Sequence, residues 1–368
     1  MLNFKYRIYP TKKQQHLLEI HLEECRWLYN YFLEKRKNSW ENEKKSLNYY
    51  SQAISIVKLK KERKSLDIVY SQVLQNVAVR VDLAFKSFFR RVKAKETPGY
   101  PRFKGTNRYD SFTFPQKGFE ITNNKLKLSK IGTYKIKLHR KPEGKIKTCT
   151  IKRSATGKWY TIFSCLSEPK LLPNSDKNVG IDTGLKSFVT FSDGGKIENP
   201  RFFRKEENFL IKTQRKLSTA GKGTLERKKF KKIVSRIHER ITNKRSNFTH
   251  QESRKIVNKY GIICIEDLSI NKMVHNHCLS KSIMDAAWGQ FAKYLSYKAE
   301  NAGRKLIRVN PAYTSQTCSK CGHRESIKLS DRIYTCSCCK VSIDRDYNAS
   351  LNILSLGLQT LGFTPESP

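Results

Sequence analysis

Acidic residues are scarce in this chain, and long apolar runs are missing. Against 73 Lys and Arg stand 32 Asp and Glu, a formal charge of +41 over 368 residues. Such a chain repels itself unless a polyanion neutralises it, so nucleic acid is the expected partner. No apolar stretch approaches spanning length, and Met1-Leu-Asn-Phe-Lys-Tyr-Arg7 has no signal-peptide core. A soluble, non-secreted protein without membrane contact is therefore expected. Evenly spread cysteines are missing too. Of the ten, five crowd between Cys318 and Cys339, while Cys25, Cys149, Cys165, Cys264 and Cys278 are scattered in apolar contexts where a reduced thiol serves as a small hydrophobe. The cluster reads as metal rather than disulfide, and the length allows two or three domains.

What is present changes period along the chain. Phe4, Tyr6 and Ile8 alternate with Lys5 and Arg7 as a half-buried strand that Pro10 stops, and Thr11-Lys-Lys-Gln14 has capping-box spacing. Leu18, Leu22, Cys25, Tyr29 and Phe32 then form one stripe of a long helix, interrupted by a polar stretch around residues 38–45. A second helix is expected from about Asp67 to Val92, with Tyr70, Leu74, Val77, Val81, Phe85 and Phe88 on one side and Gln72, Gln75, Asn76, Arg80, Lys86 and Arg90 largely on the other. Beyond Pro98 the pattern alternates. Ser111–Phe114, Lys125–Leu128, Tyr134–Leu138, Cys149–Lys152 and Lys158–Phe163 read as antiparallel strands whose outward positions are mostly Lys, a small basic barrel interrupted by the helices. Leu171–Lys177 reads as a linker.

The next region carries the chemistry. Val179-Gly-Ile-Asp182 is an apolar run ending on a carboxylate, followed by Gly184, a second run Phe188–Phe191 and the hairpin signal Ser192-Asp-Gly-Gly195. A strand tip of this kind can fix an acid against a divalent metal, as on an RNase H-like sheet. Residues 201–245 read as helical and cationic, with Arg227, Lys228, Lys229, Lys231, Lys232, Arg236 and Arg240 as a backbone-tracking arm. Tyr260–Leu268 is a second buried strand ending in carboxylates, able to set Glu266 beside Asp182, where two adjacent acids repel unless a cation binds between them. His275-Asn-His277 has no third ligand nearby and reads as loop. A helix is expected over Asp285–Asn301, capped by Gly303, then a strand over Lys305–Val309. Two CxxC pairs, Cys318/Cys321 and Cys336/Cys339, have the spacing of a structural zinc ribbon, with Cys338 left over. After them Asp346, near the start of a last helix, supplies a third acid for two-metal hydrolysis, with Asp344 as competing candidate. Residues 359–368 read as a loose, disordered tail.

Several stretches carry a family resemblance: Phe4–Lys12 with Cys25–Tyr31, Leu74-Gln-Asn76 with Ala84–Arg91, Gly99–Lys104 with Ser111–Thr113, Gly180–Gly184, Ile265–Leu268, Tyr313–Gly322 and Asp344–Ala349. Together they resemble TnpB (OrfB), an insertion-sequence family related to type V CRISPR effectors. The resemblance implies an α/β multidomain chain: a wedge-like β-barrel (residues 1–10 and 97–172) interrupted by a helical recognition domain (11–96), then an RNase H-like (RuvC) nuclease domain (176–310 and 340–358) with an inserted zinc ribbon (311–339). It implies a monomer carrying a guide RNA encoded by the element, reading a short motif beside its double-stranded DNA target and cutting both strands with one site. Carried onto this chain, Asp182, Glu266 and Asp346 would hold two Mg²⁺, or Mn²⁺, and one Zn²⁺ would sit in the ribbon. Gln72, Gln75, Asn76, Lys104 and Thr113 would read the motif. The departures are Ser350, where a second Ala is common, and the extra Cys338. The setting would be a prokaryotic cytoplasm, at the nucleoid. A DNA-joining transposase and a nuclease-silent RNA-guided repressor are the rival readings.

Overall fold

The structure is a computed structural model that describes residues 1–106, 108–328 and 331–362. The chain divides into two compact units, one ending at Ser167 and one beginning at Glu168.

In the first unit, β1 (Leu2–Tyr9) buries Phe4, Tyr6 and Ile8, and Thr11 caps α1 (Lys12–Glu43) through a reciprocal capping box with Gln14. The Thr11 hydroxyl accepts from the Gln14 N–H at 3.3 Å and the Gln14 amide oxygen accepts from the Thr11 N–H at 3.0 Å. Leu18, Leu22, Cys25, Tyr29 and Phe32 line the buried face. The helix is not interrupted at residue 38. It runs to Glu43 and ends on Lys44 at φ 52°, because Asn38 to Glu43 include no Gly or Pro to stop it. A helix absent from the periodicity follows, α2 (Tyr49–Glu62), whose Tyr50, Ile54 and Val57 are exposed while Gln52, Ile56 and Leu59 are buried, which blurs its stripe. A 3₁₀ turn over Lys64–Ile68 takes up the expected start of the next helix, so α3 spans Ser71–Lys93. A buried network joins these helices: Arg36 donates to Gln52 at 2.9 Å and to Asp82 at 3.0 Å, and Gln52 donates to the Phe32 carbonyl at 2.8 Å.

Six more strands complete the sheet: β2 (Ser111–Phe114), β3 (Phe119–Thr122), β4 (Lys125–Leu128), β5 (Gly132–Lys137), β6 (Lys145–Arg153) and β7 (Trp159–Leu166). The order is β2-β6-β7-β1-β5-β4-β3, every pair antiparallel, in a barrel-like sheet with Tyr6, Phe112, Phe114, Tyr134, Trp159 and Phe163 inside. The first strand sits between β7 and β5, so the helices form an insertion after it. Strand β3 adds to the expected set: Asn123 and Asn124, at φ 46° and 59°, close a hairpin between β3 and β4. Lys125, Lys127, Lys135 and Lys137 face outward.

The second unit is built on a five-stranded sheet. Its elements are β8 (Asn178–Asp182), β9 (Ser187–Phe191), β10 (Lys196–Glu198), α4 (Phe202–Thr219), α5 (Leu225–Lys259), β11 (Ile262–Glu266), α6 (Ile270–Met273), α7 (Ser280–Ala286), α8 (Trp288–Ala302), β12 (Lys305–Val309), β13 (Ile333–Thr335), β14 (Ser342–Asp344) and α9 (Arg345–Gln359). The order is β10-β9-β8-β11-β12, with β8, β11 and β12 parallel and β9 antiparallel to β8 and to β10. The cationic region is two helices rather than one, turning over Ala220–Thr224. The helix expected from Asp285 is likewise split, because Ala287 adopts φ 58° between α7 and α8. Asp285 is buried at the start of α4 instead, where its carboxylate accepts from the Phe203 N–H at 2.9 and 3.0 Å and from Arg245 at 3.0 Å. Residues 363–368 of the expected tail lie outside the described residues, and Gln359 is the last residue of α9.

Helix α9 lies directly on the sheet because two glycines let it. A Cβ on Gly180 would fall 2.0 Å from the Ser350 carbonyl oxygen, and one on Gly357 would fall 2.2 Å from the Cys264 sulfur. Gly180→Ala should therefore destabilise the protein by about 3 kcal/mol or more, the upper range of overpacking. Thermal and urea unfolding of the purified variant check this.

Candidate functional site

Strands β8 and β11 run parallel with Ile181 opposite Ile265, so Asp182 and Glu266, the next residue of each, sit side by side at the same edge of the sheet. Neighbouring strands lie roughly 4.8 Å apart, which holds the two carboxylates close by backbone register alone. Asp346 comes from the first turn of α9, and its Oδ2 lies 3.9 Å from where a Cβ on Gly184 would stand. Burial, reinforced by the negative charges of Glu266 and Asp346, pushes the Asp182 carboxyl well above the usual carboxylate range. Burial also raises Glu266, against the opposing pull of a hydrogen bond donated by the Thr314 hydroxyl at 2.6 Å. The nearest cation is Arg345, whose guanidinium donates to Asp346 at 3.4 Å. Asp344 is occupied elsewhere: it accepts from the Tyr347 N–H at 3.0 Å as the cap of α9 and from Lys196 at 2.9 Å. Burial would raise it, but these bonds hold its carboxyl low.

Three acids with oxygen donors and too little positive charge suit a hard divalent cation. The four cysteines suit a softer one. Cys318 Sγ stands 3.6 Å from Cys339 Sγ, and Cys321 Sγ 3.5 Å from Cys336 Sγ. Thiolates arranged tetrahedrally round a zinc ion at about 2.3 Å would be about 3.8 Å apart. Among the described residues these cysteines are the one group of three or more metal-capable side chains whose ligand atoms all lie within 4.8 Å. The three carboxylates are spaced more widely than that, as their separate supports set them. Cys338 is exposed and outside the group. Backbone N–H groups of Cys339 and Cys338 lower the Cys336 thiol below its usual range, while its close neighbour Cys321 is raised.

The cysteine loop is fastened to the helix that carries Asp346. Asn348 is fully buried, accepting from the Ser319 N–H at 2.9 Å and donating to the Thr317 carbonyl at 2.8 Å. One turn on, Asn352 donates to the carbonyls of Thr314 and Thr317 at 2.8 and 2.7 Å. Sequence pattern alone does not single out Thr314 or Asn352. Their signal was available in part: Thr314 lies in the stretch Tyr313–Gly322, and Asn348 and Asn352 share a helix face at i, i+4.

The remaining expected residues fall in separate places. On α3, Gln72, Gln75 and Asn76 share one face, and Gln72 accepts a long 3.5 Å bond from the Lys117 N–H. The Thr113 hydroxyl accepts from Arg80 at 2.9 Å and shares a hydrogen bond with Thr150 at 2.8 Å. Lys104 is held by its backbone to Asn30 and Arg26, with its ammonium 5.7 Å from the Tyr29 ring centroid. On α5, Arg227 donates to the Leu217 and Ala220 carbonyls at the end of α4, and Arg240 pairs with Glu206 at 3.1 Å, so both serve the helix pair itself. Lys228, Lys229, Lys231, Lys232 and Arg236 are exposed. His275 and His277 are exposed after α6. Among the described residues no helix is long and apolar enough to cross a membrane.

Comparison with known proteins gives a consistent assignment. Residues 163–277 match the OrfB_IS605 family, described as "Probable transposase", and residues 288–353 match the Cas12f1-like TNB domain. Residues 1–45 match the family's helix-turn-helix domain, although here they form β1 and one continuous helix. A Streptomyces pristinaespiralis protein named "Putative RNA-guided DNA endonuclease" is 35% identical over 363 residues, covering 96% of this chain and 89% of the relative. An Escherichia coli K12 relative, "Putative RNA-guided DNA endonuclease InsQ", is 30% identical over 96% of this chain and 92% of its own. In fold, the chain is similar to a Cas12f1 solved with sgRNA and target DNA, at TM-score 0.59 and 16% identity over 93% of this chain and 83% of that one. It is also similar to the mini RNA-guided endonuclease Cas_phi3, at TM-score 0.55 and 10% identity over 100% and 93%. Fold and sequence thus define a class, the compact proteins shared between insertion-sequence elements and small CRISPR-associated effectors. Within that class, the chain belongs to the TnpB (OrfB) family.

The raised Asp182 pKa carries a stability consequence. The folded state binds this proton more tightly than the unfolded chain does, so its penalty is absent below the unfolded pKa of about 3.9, grows as pH rises from there to the folded value, and is constant above it. With chelator at neutral pH, Asp182→Asn should therefore melt higher than the parent, by roughly 2–4 °C per kcal/mol relieved. Excess divalent cation should narrow or reverse that order. Differential scanning calorimetry from pH 4 to 8 measures both effects.

Proposed function

We propose that this protein is an RNA-guided DNA endonuclease of a transposable element, cutting both strands of a double-stranded target with one RuvC site. The observation that carries the reading is the crowding of Asp182, Glu266 and Asp346 at one edge of a mixed sheet, in a chain otherwise short of acid. Support comes from the names of the full-length relatives and from a strand order, β10-β9-β8-β11-β12 with β9 reversed, that fits an RNase H-like sheet.

In this reading the three carboxylates hold two Mg²⁺ ions, with Mn²⁺ as a substitute. When bound, such ions activate the attacking water and stabilise the leaving oxygen. The chain's own contribution is placement. Backbone register sets Asp182 beside Glu266, the Thr314 hydroxyl fixes the Glu266 carboxylate, and Asp344 anchors the helix start from which Asp346 projects. Cys318, Cys321, Cys336 and Cys339 hold one structural Zn²⁺, which stiffens the loop fastened to that helix by Asn348 and Asn352. The barrel with its helical insertion acts as the wedge and recognition part, where Gln72, Gln75, Asn76, Lys104 and Thr113 read the target-adjacent motif. Exposed cations of α5, Lys228 to Lys232 and Arg236, track a phosphate backbone. Guide pairing supplies the sequence specificity, so few base contacts are asked of the protein. The working particle is one chain with one guide RNA in a prokaryotic cytoplasm.

Purified protein should carry RNA and, with Mg²⁺, cleave DNA complementary to that RNA's guide segment. Asp182→Ala should abolish cutting and leave the RNA bound; undiminished cleavage by this variant ends the assignment. Cys336→Ser should remove most of one zinc equivalent by elemental analysis and lower the melting temperature.

A further inference from the structure

A cavity of about 290 Å³ opens beside the carboxylate edge, and its lining includes Thr183, Glu266, Ile270, Trp288, Gly289 and Ala292. Glu266 therefore belongs both to the acid cluster and to the cavity wall, and Thr183 follows Asp182 in the chain. Most of the lining is apolar, with the Trp288 and Phe291 rings contributed by α8. Two of its residues hold polar atoms that are buried and lack a hydrogen-bond partner, Thr183 Oγ1 and Trp288 Nε1. Unpaired buried groups of this kind are costly, and a ligand edge that satisfied them on a small rearrangement would recover that cost.

The chemistry of the wall narrows the ligand. Two exposed cations also line the cavity, Lys293 and Arg308, the latter paired with Asp267 at 3.0 Å, and they suit the backbone of a strand that enters it; against the apolar walls beside Glu266 a phosphate would add negative charge and lose its hydration. A nucleobase adds no charge, offers flat faces to aromatic rings and carries donors and acceptors on its edge. The volume lies at the lower limit of small-ligand pockets, about 300 Å³, which suits one base rather than two. A phosphodiester held at Asp182, Glu266 and Asp346 has a nucleoside on each side, one sugar away, within reach of a cavity that shares Glu266. We propose that this cavity receives the base of a nucleotide flanking the scissile phosphate, drawn from an unstacked, single-stranded stretch of the target DNA. The inference rests on the nuclease reading. It makes the wall a positioning subsite that seats the strand before the cut.

Gly289 offers a clean probe. It lies in the first turn of α8, and an added Cβ meets only Ile270 Cγ1, at 3.7 Å, an ordinary contact. Gly289→Ala and Gly289→Leu therefore narrow the cavity by degrees while improving helix propensity. The experiment measures single-turnover cleavage by the assembled complex on targets carrying one abasic site, scanned through the nucleotides around each cut. For the parent protein, one flanking position should lose between about fivefold and a hundredfold in rate, the range of a single base–aromatic stack. Gly289→Leu should cut the intact target slowly by a similar factor and be indifferent to the abasic site, with RNA content and target binding unchanged, a melting temperature no lower than the parent's, and Gly289→Ala intermediate. A parent enzyme that cuts normally and tolerates an abasic site at every flanking position overturns the subsite and leaves the nuclease reading standing. So does a Gly289→Leu variant that keeps full rate and the parent's abasic sensitivity. A parent protein that loads RNA but cuts no target with Mg²⁺ or Mn²⁺ overturns both.

Discussion

Mutual repulsion among Asp182, Glu266 and Asp346 is the constraint on which the second unit depends. Left to themselves, three nearby carboxylates would move apart or protonate, and the chain prevents the first by placing each on a different rigid support. Two come from adjacent parallel strands whose register is fixed by main-chain hydrogen bonds. The third comes from a helix pressed against β8, with glycines at both layers of the contact. What remains is the raised proton affinity of Asp182, an electrostatic load that a divalent cation, in the proposed reading, would relieve.

Much of this organisation was legible in the residues because local rules and tertiary demands agree there. Val179 to Asp182 and Ile262 to Glu266 are strands in any reading, since both are short apolar runs ended by acid and turn. The capping box at Thr11 and the αL cap at Gly303 are chemistry that sequence states outright. The misses have a common cause in long-range contacts. Asp285 falls near the end of α7 rather than opening the next helix, with its carboxylate serving the start of α4, and Ala287 takes a left-handed conformation that no local signal announces. Helix α2 exposes half of its apolar residues, so its period carries no clear stripe. Thr314 is invisible to periodicity because its value lies in one hydrogen bond to a residue 48 positions away.

Cationic side chains also divide their labour in a way that counting cannot foresee. Arg227 closes the end of α4 and Arg240 neutralises Glu206, so neither has its charge fully at the disposal of a ligand. The lysines between them are exposed. In the first unit, Arg80 is spent on the Ser111 carbonyl and the Thr113 hydroxyl, joining α3 to β2, while the lysines of β4 and β5 face solvent. At these places arginine, with its planar fork, makes the internal joints, and lysine, a hydrated point charge, covers the outer surface.

The contact of α9 with the sheet, closed by Gly180 and Gly357, sets the mechanical character of the second unit. At these two points the backbone leaves no room for a further side chain, while Cys264, Val309, Ile353 and Leu354 fill the rest of the contact, so helix and sheet form one tightly packed layer. Contact this close favours a fixed spacing between the strand tips and the first helical turn. In the nuclease reading a substrate would therefore fit itself to the acids, and adjustment would fall to the loops around them.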